Sequence, residues 1–139
     1  MIRRAFLTLL FTAAVVAVSP PAWAGSYLDR AAILLDQARK EGDMLQPRTY
    51  DKELATMIKA LAEVRTKAAR RMEIPAAIAK AHPHLLLVLE NMDRAADAAL
   101  AGNFKKFMQH LNTARDEDRT FRALVVELGY ALPEVGPRK

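Results

Sequence analysis

The chain has 139 residues, of which 52% are apolar and 27% charged, with no cysteine and a formal net charge of +5. That length and balance fit one compact domain and exclude a fibrous or disordered chain. The missing cysteines exclude thiolate catalysis, Cys-ligated zinc, iron–sulfur clusters, disulfides, c-type haem attachment and a lipid anchored through an N-terminal cysteine.

Residues 1–24 read as a cleaved secretory signal. Arg3 and Arg4 precede an uncharged stretch from Ala5 to Val18, followed by Pro20-Pro21 and the small-residue site Ala22-Trp23-Ala24. The apolar run is shorter than the ~20 residues a membrane span needs, and the proline pair breaks a helix where a span would continue. Arg3-Arg4-Ala5-Phe6-Leu7 resembles the core of a twin-arginine signal. The strongly apolar stretch, with no basic residue before the cleavage site, favours export in the unfolded state; both routes end in the periplasm. Cleavage after Ala24 leaves residues 25–139 with 19 basic and 16 acidic residues, a net charge of +3. This mild excess, without a Lys/Arg stripe interleaved with aromatics, argues against nucleic-acid binding and leaves contact with an anionic membrane surface open.

The mature chain reads as four helices with a short tail, 130–139. In the first, Ser26 and Asp29 fit a capping box, Leu28, Ala31, Ala32, Leu35 and Ala38 form a stripe, and Gly42 supplies a stop. Thr49 or Asp51 caps the second, whose predicted core stripe is Tyr50, Leu54, Met57, Ile58, Leu61, Val64, Ala68 and Met72. Pro75 ends it by about Ile74, and residues 74–82 are a linker or a short separate turn. Pro83 suits the first position of the third helix, which carries Leu85, Val88, Leu89, Met92, Ala95, Ala96 and Ala99 and ends at Gly102-Asn103. The fourth spans Phe104 to Leu128, with Phe104, Leu111, Asp118 and Val125 at one core position and Phe107, Ala114, Phe121 and Leu128 at the other. No alternating strand pattern occurs. Four amphipathic helices with short connections predict an all-α, up-down-up-down four-helix bundle.

Asp118 is a carboxylate in an apolar seam, so Arg115 or Arg122 should neutralise it. Across the Gly102-Asn103 hairpin, His84 comes level with Asp118. That pairing could leave one imidazole nitrogen free as a metal ligand. Three further groups stand out. Arg65, Lys67, Arg70 and Arg71 form a candidate anion patch, although cations also suit a helix C-terminus. Glu90, Asp93 and Asp97 make a carboxylate stripe that could hold a hard cation weakly but reads rather as a solvated face. Ile33, Leu34, Leu86, Leu87, Leu124 and Val126 overflow the core stripes at one end of the bundle. They are covered either by Ile74, Ile78, Tyr130, Leu132 and Val135 or by a partner.

The stretch from Leu85 to Arg119, with its Ala-rich helix end, Ala-Gly-Asn turn and Leu111-Asn112-Thr113-Ala114-Arg115 segment, resembles the soluble periplasmic b-type cytochromes that are four-helix bundles. It covers about a third of the mature chain. The resemblance implies haem held by a Met in the first helix and a His near the end of the last. Here the first helix has no Met from Ser26 to Lys40, and Arg119 to Arg122 contain no His, which leaves His84 and Met72 as the substitute pair. Dispersed histidines and the absence of a phosphate loop or a His-Glu-x-x-His pattern argue against catalysis. The leading expectation is a non-catalytic periplasmic accessory protein without a cofactor, an adaptor, sensor or chaperone-like subunit. It would act through the apolar end on a protein partner or on itself. The alternative is a metal- or haem-binding bundle using His84, Asp118 and Met72.

Overall fold

A computed structural model describes residues 22–136, with side chains from Gly25 onward. It contains four helices, α1 Ala22–Leu45, α2 Lys52–Arg70, α3 His82–Leu100 and α4 Phe104–Glu127, with a 3₁₀ turn Gln46–Arg48 before α2. No strand occurs among the described residues, so the chain is all-α. The predicted export segment lies outside the described residues except for residues 22–24, whose backbone already belongs to α1.

The helix boundaries follow local chemistry. The Asp51 carboxylate accepts from the Leu54 backbone N–H at 3.0 Å, and the Asn103 side chain accepts from that of Lys106 at 3.0 Å. Each thereby satisfies a donor that the first turn leaves free. Gly102, at φ +70°, turns the chain out of α3 where a Cβ would be strained. Pro83 is the second residue of α3, because the helix begins at His82 and not at the proline. The linker before it is pinned: Pro75, Ile78 and Ala81 are buried, and the Ile78 and Ala81 N–H groups donate to Pro75 and Ile78 carbonyls, each at 2.9 Å.

Two expectations for α1 need correction. Ser26 lies inside the helix, which starts four residues earlier, and Gly42 does not stop it. Gly42 is a buried contact point instead. A Cβ there would sit 2.9 Å from Leu111 Cδ1 and 3.3 Å from Met92 Cε, so a side chain at this position must displace the ends of those two side chains.

α3 lies at the centre, packing most extensively against α4 and then α2, while α1 is held less closely. Ala95, Ala96, Ala98 and Ala99 are buried along it and keep side-chain bulk out of these contacts. Cross-helix pairs run in opposite chain directions. His84 meets Glu117 and Asn91 meets His110 between α3 and α4. Lys52 meets Leu100, Lys59 meets Asp97 and Arg70 meets Glu90 between α2 and α3.

In α4 the seam Phe107, Leu111, Ala114, Asp118, Phe121 and Val125 is buried, but Phe104 is exposed and stacks on Phe107 with ring centroids 6.2 Å apart. The larger departure is α2. Its buried face is Ala55, Ile58, Ala62, Arg65, Thr66 and Ala69, so of the predicted stripe only Ile58 is buried, Leu54 and Met72 being half-buried.

Gly42→Val should lower the unfolding free energy by about 2 kcal/mol, the usual scale for overpacking a filled core, as read from urea denaturation. A variant as stable as the parent would show that α1 does not pass this close to Leu111 and Met92.

Candidate functional site

Of the residues singled out as ligands, His84 and Asp118 are each occupied by a neighbour. His84 Nδ1 meets Glu117 Oε2 at 2.5 Å, one position short of the predicted partner Asp118. Asp118 is instead held from two sides, by Arg122 Nε at 2.7 Å, as expected, and by Arg39 Nη2 of α1 at 3.1 Å. Arg115 turns away from Asp118 to Asp43 and Gln46. Met72 lies elsewhere, against Arg30, Ile33, Leu34 and Ala68 between α1 and α2. His84, Asp118 and Met72 are therefore not brought together, and no group of three or more His, Asp or Glu among the described residues could hold a metal ion.

The other two histidines join helices. His110 Nδ1 lies 3.1 Å from Asn91 Oδ1, while Asn91 Nδ2 donates to the Leu87 carbonyl at 2.8 Å. The buried His82 meets the Tyr27 hydroxyl at 2.9 Å through Nδ1 and also bonds to the Ala69 backbone. Burial pushes the phenol pKa up and the imidazole pKa down, keeping both groups neutral.

The basic cluster does not assemble as an anion patch. Arg65 is buried, and its guanidinium forks onto Glu41 of α1, with Nη1 to Oε1 at 2.7 Å. Arg70 pairs with Glu90, and the hollow beside it is lined by Glu63, Glu90 and Asp93 as well as Lys67, Arg70 and Arg94. Lys67 and Arg71 remain exposed. The carboxylate stripe of α3 is a docking rail for α2: Lys59 reaches Asp97 at 2.6 Å and Asp93 at 3.3 Å. The hydrogen bond to Asp97, with those to Glu63 and Asp93, raises the Lys59 pKa.

The apolar end of the bundle is largely covered. Ile78 is fully buried, and Ile74, Tyr130 and Leu132 pack on the core beside Leu34, Leu86 and Leu124. Leu87 is half-buried, leaving Ile33 and Val126 as the exposed members of the predicted surface. A cleft of about 230 Å³ opens between α1, α3 and α4, with an apolar floor that includes Leu35, Val88, Met92 and Leu111. Its rim is Arg39, Asp43, Arg115, Asp118 and Arg119. Each rim charge already has a partner, Arg119 pairing with Asp116, so none is left aimed at a ligand.

What remains without cover is the side formed by α1 and α2. Met57, Leu61 and Val64 are 63%, 48% and 65% exposed, and Ile33 and Met44 of α1 are exposed too. Five of the nine exposed large apolar side chains among the described residues thus lie on these two helices. On α2, half-buried Leu54 and exposed Ala68 extend the row, giving 54, 57, 61, 64 and 68 at alternating steps of three and four. That is the spacing of a helix–helix seam. At its far end, Ile33, Leu34, Ala68 and Met72 line a shallow apolar groove beside Arg30. The sequence presents these residues as core because α2 carries a second apolar row, 55, 58, 62 and 69, rich in alanine. Overlap of two rows on one helix is the signal that one must face outward.

No family model, curated protein or solved structure matches the chain.

Because the His82 pKa is lowered in the fold, the unfolded chain binds more protons just below about pH 6.5. The stability contributed by the neutral ring is complete above that value and is lost as pH falls. The thermal midpoint should therefore drop between pH 7 and pH 5, and His82→Gln should flatten the drop. Equal slopes for parent and variant would contradict the assignment.

Proposed function

We propose that this chain is an exported, non-catalytic accessory protein that acts through the apolar side face of α1 and α2. In this reading residues 1–24 direct the chain to the periplasm and are removed. The mature domain is an up-down-up-down bundle whose partner is a protein presenting an apolar helical face. The observation that carries the reading is the exposed seam Leu54, Met57, Leu61, Val64 and Ala68. Helix-in-groove recognition uses anchors at this spacing, and a monomer has no folding reason to keep them apolar. The reading places the acting surface on this side face, where apolar side chains are exposed, and not at the end of the bundle, where Leu34, Leu86, Leu87 and Leu124 are half-buried. The three histidines and the buried Asp118 are engaged in contacts between helices.

A photo-crosslinking residue at position 64, introduced in the cell that makes the protein, should give a covalent protein adduct on irradiation. The same residue at exposed position 105 on α4 should give none. Leu61→Glu in the crosslinking chain should abolish the adduct while leaving helical content unchanged. No adduct from position 64, or one that persists with Leu61→Glu, would overturn the reading.

A further inference from the structure

Resting on that reading, we infer that the occupant of the α1–α2 face is a second copy of this chain, with the two α2 helices packed antiparallel about a two-fold axis. The exposed row is heptad-spaced, with Leu54, Leu61 and Ala68 at one seam position and Met57 and Val64 at the other. Such a row pairs with itself in either direction, and the flanking charges decide between them.

In an antiparallel pair, one seam position packs against the other. Met57 then meets the partner's Leu61, and Leu54 meets the partner's Val64, placing the axis level with residue 59. Flanking residues of the same heptad position face each other, which brings Glu53 beside the partner's Lys67 and, by symmetry, Lys67 beside the partner's Glu53. Both residues are exposed, and neither has an ion-pair partner among the described residues. A parallel pair would set Glu53 against the partner's Ile58 and Lys67 against the partner's Met72, pairing no charge. The register that fits the apolar row is thus the one that also neutralises these two charges.

The size is adequate. α2 has 19 residues, about 28 Å at 1.5 Å per residue, and two helices side by side are roughly 20 Å wide. That footprint is on the scale of the ~800 Å² per partner of a stable interface. α1 supplies the second helix of that width, with Ile33 and Met44 exposed on it. Contact of one patch with its own copy closes at two subunits, so the pairing does not propagate.

Sedimentation of the purified chain over a concentration series tests this directly. The parent should be a dimer, and Leu61→Glu a folded monomer. Glu53→Lys and Lys67→Glu should each raise the dimer dissociation constant about tenfold or more by setting like charges together at two symmetric points. The double swap Glu53→Lys with Lys67→Glu should restore it. A monomeric parent, a dimer that survives Leu61→Glu, single swaps without effect, or a double swap that fails to restore association would each overturn the inference. A monomeric parent that still gives an adduct of foreign mass from position 64 would overturn the second copy alone and leave the binding role standing. The absence of any adduct would remove both.

Discussion

The rotation of α2 about its own axis decides what this protein offers to its surroundings. α2 has two apolar rows, and a single core can take only one of them. α3 makes the choice twice over. Its alanines admit another backbone closely, which suits the small row Ala55, Ala62 and Ala69 better than Met57, Leu61 and Val64. Its carboxylates Asp93 and Asp97 take Lys59, and Glu90 takes Arg70. Once those cations face α3, helical geometry swings the bulkier row out beside α1. Individually such surface pairs are weak, but here they agree with the packing, and agreement between levels is what selects one arrangement.

α1 is attached by a different kind of contact. It approaches its neighbours less closely than α3 does, except where Gly42 passes Leu111 and Met92. Long polar ties span the remaining distance: Tyr27 to His82, Glu41 to Arg65, Arg39 to Asp118 and Asp43 to Arg115. Each joins α1 to a side chain on α2, α3 or α4. Two of these ties involve burial, on both sides for Tyr27–His82 and on one side for Glu41–Arg65, and two start from the exposed Arg39 and Asp43; such pairs add little net stability and act on register and direction. The cleft between α1 and α4 is the space such ties leave open.

The four helices, their order and the seam of α4 were legible from the sequence, because long periodic rows broken by Gly, Pro and capping residues are local signals. Asp51 and Asn103 cap as their side chains suggest, and Asp118 takes Arg122 one turn away. The failures are tertiary. Gly42 carries the composition of a stop, yet its role is set by side chains 50 and 69 positions further along. Asp118 gains Arg39 from 79 positions away, and Arg65, read as part of a surface patch, is buried on Glu41. His84 misses Asp118 by one residue, which on a helix moves the partner by about 100° and changes the chemistry of the pair. The likeness to b-type cytochromes extends to four helices, while His84 and Asp118, named for a ligand role, are held by Glu117, Arg122 and Arg39.

The outward row of α2 is also informative about what folding did not require. Lysine or glutamine at Met57, Leu61 and Val64 would leave the Ala55, Ile58, Ala62 and Ala69 contacts untouched, since the two rows point about a third of a turn apart. Both kinds of residue are good helix formers, so nothing in α2 formation favours the apolar choice, and Val64 runs against it. Solubility would favour the polar residues as well. In the proposed reading, the three large apolar side chains at seam spacing are buried against a partner. The flanking charges narrow that partner to a surface acidic near one end of the row and basic near the other, in reverse order. The face of α2 itself has that property.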